Sequence, residues 1–174
     1  MTDTPKAPAM AFCATALFVA STATHAADLG DFYGGMAKGC TYDAETNYRV
    51  VTAYVDEDGA RPKLAHPAGG QRLAPFFGKA TLQDNGESYT LTIPIADAKL
   101  YGIPVSRLTI YRGIHADIAG VIVTFPFPPQ EVRARLAKAG VRLEPHDHGW
   151  GDITPELGPA DDGPGTQLAC DLSM

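Results

Sequence analysis

No pattern in this chain announces a reaction. Gly-x-Ser-x-Gly, His-Glu-x-x-His and Cys-x-x-Cys are all missing, so serine-nucleophile, zinc-protease and dithiol chemistry have no local signature here. No internal repeat recurs and no low-complexity tract is long enough to be a linker, which argues against solenoids and against several domains strung together. Cysteine is scarce, at three in 174 residues, and tryptophan occurs once. Positive charge is in deficit: 14 Lys and Arg stand against 20 Asp and Glu, a formal −6. That balance makes nucleic acid and anionic lipid poor partners.

What is there begins with an address. Residues 1–26 run from a polar start with Lys6, through an apolar stretch at Ala9 to Ala20, to small residues ending Thr24-His25-Ala26. This is the three-part plan of a secretory signal, and it predicts cleavage before Ala27. The apolar stretch falls short of the roughly 20 residues of a permanent membrane helix. Cys13 does not mark a lipoprotein, because Phe12 precedes it where a small residue is expected. Residues 27–174 hold no hydrophobic run long enough for membrane insertion once the signal is removed, and are read as one mature domain. The expected location is the periplasm or the outside of a bacterial-type cell.

Only Cys40 and Cys170 survive that cleavage, and an even pair in an oxidising compartment predicts a disulfide. It would tie the polar C-terminal tail to the start of the mature domain.

The expected fold is a single α+β domain, a twisted antiparallel sheet of about 5–6 strands with one C-terminal amphipathic helix packed on it. Tyr48 to Val55, YRVVTAYV, is β-branched and aromatic and reads as a strand. Residues 56–78, with prolines and glycines and no clean period, read as a long connecting loop. Two sequential hairpins follow. In the first, Asn85-Gly86 suits a type I′ turn, and Tyr89, Leu91, Ile93 and Ile95 fall on one face with Thr90 and Thr92 on the other. In the second, strands near Arg107–Arg112 and Gly120–Phe125 flank a polar tip at His115–Asp117. The stretch from Pro129 to Gly140 reads as a helix with an apolar stripe of Val132, Leu136 and Ala139 and a basic outer face of Arg133, Arg135 and Lys138. Val141 to Leu143 suits a short strand, and the Gly, Pro and Asp-rich tail 144–174 reads as irregular until Cys170 anchors it.

Three clusters could carry chemistry. EPHDHGWGD, Glu144 to Asp152, puts His146 and His148 two residues apart beside Asp152, a combination that suits zinc or copper if a third ligand arrives; His66, His115 and Asp152 are the candidates. Asp56-x-Asp58-Gly59 opens like a calcium loop, but Pro67 stands where the bidentate Glu is needed. The long loop carries Arg61, Lys63, His66 and Arg72, the most basic stretch of an acidic chain, to be offset by the tail. These residues, with Trp150, Asp161 and Asp162, are the candidate interaction loops, since loops on a rigid scaffold are where binding concentrates.

The expectation is therefore a small exported binding protein with a protein partner and no cofactor, an inhibitor or immunity-like protein that neutralises a basic protein, rather than an enzyme. One alternative is a metal-binding protein or metal-dependent enzyme built on His146 and His148. Another is an envelope structural or assembly factor that accepts a partner strand.

Overall fold

A computed structural model describes residues 26–57, 61–65, 75–115 and 117–174. The N-terminal half contains β1 (Ala27–Asp28), α1 (Gly30–Tyr33), α2 (Ala44–Tyr54), β2 (Val55–Asp56), β3 (Lys63–Leu64), β4 (Thr81–Asp84) and β5 (Ser88–Pro94). There follow β6 (Ala98–Leu100), β7 (Ile103–Pro104), β8 (Arg107–Gly113), β9 (Ala119–Phe125), α3 (Pro129–Lys138), β10 (His146–Asp147), β11 (Asp152–Ile153), β12 (Glu156–Pro159) and β13 (Thr166–Asp171). The fold is mixed α+β. Six strands form the main antiparallel sheet in the order β12-β13-β9-β8-β5-β4, and three smaller sheets pair β1-β6-β7, β2-β3 and β10-β11.

Period-two alternation fixes the main sheet's register. Leu91, Ile110, Val121 and Cys170 lie side by side across four strands, as do Ile93, Leu108, Val123 and Leu168. Every one of these eight is at most 2% exposed. The row between them, Thr92, Thr109, Ile122 and Ala169, points to the opposite face and is only half-buried.

The two long hairpin strands, β8 and β9, fall where the alternation puts them, and so does α3. Pro128 and Pro129 open that helix, Val132 and Leu136 are buried, and Gly140 takes the left-handed conformation (φ +70°) just past its end. Ala139, by contrast, is exposed. The basic face is not simply solvated either. Arg135 bonds Glu131 one turn back and lies 4.1 Å over the Phe127 ring, and Arg133 donates to the Leu157 carbonyl on the edge strand β12 at 3.0 Å.

Five expectations are corrected. Tyr48 to Val55 is not a strand but the body of α2, with only Val55 extended. The side chain of Asp43 accepts from the backbone N–H groups of Glu45 and Thr46, which starts a helix six residues before the β-branched run. Val50, Val51 and Tyr54 then share one helical face in the core, and that burial overrides the propensity of valine and threonine for strands. The first hairpin's turn is also not centred on Asn85-Gly86: Asn85 N–H bonds the Ser88 carbonyl at 2.8 Å, which makes Gly86 and Glu87 the turn residues, and of these only Gly86 has a positive φ, at +91°. Tyr101-Gly102 instead joins β6 to β7 with φ of +54° and +75°, the pair of left-handed residues a type I′ turn needs. A tyrosine tolerates that conformation because its hydroxyl is fixed at both ends, accepting from Ala37 N–H at 2.8 Å and donating to the Gly34 carbonyl at 3.0 Å.

Val141 to Leu143 forms no strand; only Glu144 makes a bridge, with Lys38. The tail is the largest correction. It supplies β10 to β13, and β13 is an interior strand of the main sheet, held between β9 and β12. The long loop is partly folded too. Its first part closes the β2-β3 pair, while Phe76 and Phe77 at its end are buried against each other and Phe77 bridges Ile95.

The expected disulfide is present. Cys40 and Cys170 are joined with their Cα atoms 5.5 Å apart and 130 positions between them. Among the described residues no helix is long and apolar enough to cross a membrane.

Candidate functional site

The histidine loop is a clamp. His146 and Asp147 pair with Ile153 and Asp152, and the His148 N–H closes the hairpin onto the Gly151 carbonyl. The His148 Nε2 lies 2.7 Å from the Gly39 carbonyl; facing an acceptor, it must carry the proton and donate. A Cβ on Gly39, whose φ is +58°, would sit 2.2 Å from the Cβ of His146, so the loop rests directly on the segment leading to Cys40. The two imidazoles meet edge to face at 5.1 Å, and His148 continues to Trp150 at 5.6 Å, whose ring is half-exposed. The expected third ligand does not appear. Asp152 is directly opposite Asp147 across the hairpin, His115 is on the β8–β9 tip, and His66 lies outside the described residues. Among the described residues no group of three His, Cys, Asp or Glu side chains is placed to hold a metal.

Of the basic loop, the described arginine does not reach the tail for its ion pair. Arg61 pairs with Asp84 at 2.9 Å, on the turn of the first hairpin, and Lys63 is exposed on β3. His66, Arg72 and Asp58 lie outside the described residues.

Residues 144–174, by contrast, carry side-chain charge of one sign apart from histidine. They contain seven carboxylates, Glu144, Asp147, Asp152, Glu156, Asp161, Asp162 and Asp171, and neither Lys nor Arg; the preceding 143 residues hold 13 acidic and 14 basic ones. The whole negative balance of the chain therefore resides in this ribbon. All seven carboxylates are on exposed residues. Asp161 accepts from the Gln167 amide, and Asp162 pairs with Arg107 of β8. Bonds from Ser173, first its hydroxyl, and from the Tyr111 phenol hold the Asp171 carboxyl below the usual range, so it stays ionised. Glu156 and Asp171 point to the half-exposed face of the sheet, where the Tyr111 ring lies across Gly120: its Cζ is 2.1 Å from where a Cβ on that glycine would be. The signal for this surface is readable by counting charge per segment instead of per chain; averaged over the sequence it vanishes.

A second polar assembly stands at the end of the sheet. Tyr89 is buried on β5, and its hydroxyl donates to Glu57 Oε1 at 2.5 Å, while Arg112 of β8, its cross-strand neighbour, brings a guanidinium nitrogen within 3.6 Å of the same oxygen. Burial first, and then the Glu57 carboxylate, push the Tyr89 phenol well above its ordinary range, so it remains a donor. Alternation brings Tyr89 and Arg112 together; nothing in the sequence connects Glu57 with either, since it arrives from the far side of the long loop.

No protein-family model matches the chain, and no curated protein or solved structure does.

Proposed function

We propose that the protein is an exported binding protein whose acidic C-terminal ribbon engages a basic protein, in the manner of an inhibitor or immunity protein that neutralises its target. One observation carries this reading: the net charge is segregated onto 31 consecutive residues, which fold into the β10-β11 hairpin and the two strands β12 and β13 at one end of the main sheet. Like charges so concentrated, with no Lys or Arg in the segment and only Asp162 ion-paired among them, by Arg107, repel one another and weaken the free protein; a cationic surface laid over them removes that repulsion. At physiological ionic strength, where charges more than about 8 Å apart are screened, the effect is felt mainly as faster association and rejection of acidic competitors. The disulfide supports export, since such bonds persist in oxidising compartments. Strand addition by an assembly partner has less support, because Arg133 already occupies a carbonyl of the edge strand β12.

The test is capture of envelope proteins from the source cell on the immobilised protein at low salt, followed by association kinetics with whatever is retained. The expected partner is basic, its on-rate falls roughly tenfold or more as salt is raised, and Asp152→Asn/Glu156→Gln slows it further without lowering the melting temperature. Retention of nothing at low salt, or of a partner indifferent to salt and to the double substitution, overturns the reading.

A further inference from the structure

We infer that the half-exposed face of the main sheet, on its β9, β13 and β12 side, is the surface that grips the basic partner, seating an arginine or lysine of that protein between Glu156 and Asp171. The inference rests on the reading above and names the face and the carboxylates through which it acts.

Register brings these residues together. Ile122 stands opposite Ala169, and Ala169 opposite Glu156, so a branched apolar side chain, a methyl and a carboxylate form one row across β9, β13 and β12. The next row on the same face is Tyr111, Gly120 and Asp171. Glu156 and Asp171 are therefore diagonal neighbours, with backbones about 7–8 Å apart. Neither Ile122 nor Ala169 belongs to the buried core or packs against it, although both are apolar and sit on interior strands. Six strands give the face a width of about 24 Å, the scale of a protein contact and not of a small ligand.

Charge selects the occupant. The cation that points this way, Arg107, is already held by Asp162. Among the described residues no Lys or Arg pairs with Glu156 or Asp171. Asp171 is fixed by the bonds it accepts from Ser173 and from the Tyr111 phenol. That phenol is raised by burial first and then by Asp171, with Tyr42 and Glu156 adding less, so it stays a neutral donor facing both carboxylates. A guanidinium or ammonium laid there has two carboxylates to bond, and Ile122 and Ala169 receive its methylene stem. A second copy of the chain would set the same carboxylates against each other and is repelled.

The experiment is a titration of the folded protein, followed by backbone amide NMR, with a blocked pentapeptide of alternating alanine and arginine. Its citrulline counterpart keeps the shape and loses the charge. In an extended peptide, side chains two positions apart lie on one side roughly 7 Å from each other, which matches the two carboxylates. The arginine peptide is expected to shift the amides of Tyr111, Ile122, Glu156 and Ala169 and to bind about fivefold or more tighter than the citrulline one, as two exposed ion pairs allow. Glu156→Gln should remove most of that preference. Asp31→Asn/Glu45→Gln, which takes charge from exposed positions of α1 and α2, should keep it. Ile122→Arg leaves both carboxylates in place but offers them a cation from the protein itself, and should abolish binding. Equal binding of the two peptides, or an equal loss in the helical control, overturns the inference, as does a dimer that forms without peptide and is lost in Ile122→Arg. Shifts confined to the β10-β11 hairpin also overturn it but leave the ribbon as the binder of a basic protein, a reading judged by capture of whole proteins and not by this titration.

Discussion

The same strands build two faces of the main sheet, and the faces do different work. On one, Leu91, Ile110, Val121 and Cys170 form a continuous buried row in the same core as Val50 and Val51 of α2 and Val132 and Leu136 of α3; one residue along, Thr92, Thr109, Ile122 and Ala169 form a row that is left half-exposed. The covered face is where stability resides. The uncovered face, with the acidic ribbon at its β12–β13 side, is free to vary in chemistry because little of the fold depends on it.

The largest test of the division is the disulfide, which enters the covered face through Cys170. Cys40→Ala/Cys170→Ala is expected to lower unfolding free energy by about 4–5 kcal/mol by chain entropy, as measured by denaturant titration; a loss below about 1 kcal/mol would mean that the sheet and not the bond anchors the tail. Next, Leu91→Ala and Thr92→Ala separate the faces at adjacent positions. The first should cost about 2–5 kcal/mol as a core truncation and the second about 0.5 kcal/mol or less, and comparable losses would contradict the division.

Gly120→Ala probes the uncovered face where the Tyr111 ring packs against it. The added methyl displaces the Tyr111 ring from its place over the glycine, with an expected cost of about 1–3 kcal/mol. In a double-mutant cycle, Tyr111→Ala should remove most of that cost, and simple additivity would show that the ring was not the obstacle.

The smallest effect is expected from pH. Hydrogen bonds hold three carboxyls below the usual range: Asp43 chiefly by Thr46, Asp84 chiefly by the Gly86 N–H, and Asp171 chiefly by Ser173. A depressed carboxyl stabilises the fold above its unfolded value near 4 and loses that contribution as pH falls through the folded value. The melting temperature should therefore drop between pH 5 and pH 2, by less in Asp43→Asn; an identical drop in that variant would remove the helix cap from the account.

Much of the architecture was open to sequence reasoning because it is written in local patterns. Alternation in YTLTI and LTIY places β5 and β8, and the even pair of cysteines beyond residue 26 points to the bond. The failures have physical causes as well. YRVVTAYV was read by propensity, while Asp43 capped a helix whose buried face outweighed it. The I′ turn was assigned to Asn85-Gly86 on chemistry, yet it occurs at Tyr101-Gly102, where the two tertiary bonds of the phenol offset the strain. The tail was read as irregular because glycine and proline dominate its composition, although Thr166 to Asp171 alternates buried and half-exposed positions like any sheet strand. Of the candidate sites, the crowded histidine loop packs on Gly39, and among the described residues no third ligand stands beside it. The Glu57, Tyr89 and Arg112 assembly could not be foreseen, since it joins residues across 55 positions and depends on which way the long loop returns.

The position of β13 also orders the assembly of the molecule in time. Until Thr166 to Asp171 have emerged, β9 is an unpaired margin, β12 has nothing to lie against, and Cys40 waits 130 positions for its partner. The disulfide is therefore a completion mark. A nascent or truncated chain cannot acquire it, and an oxidising enzyme that forms it acts only on copies in which the last strand has already been delivered.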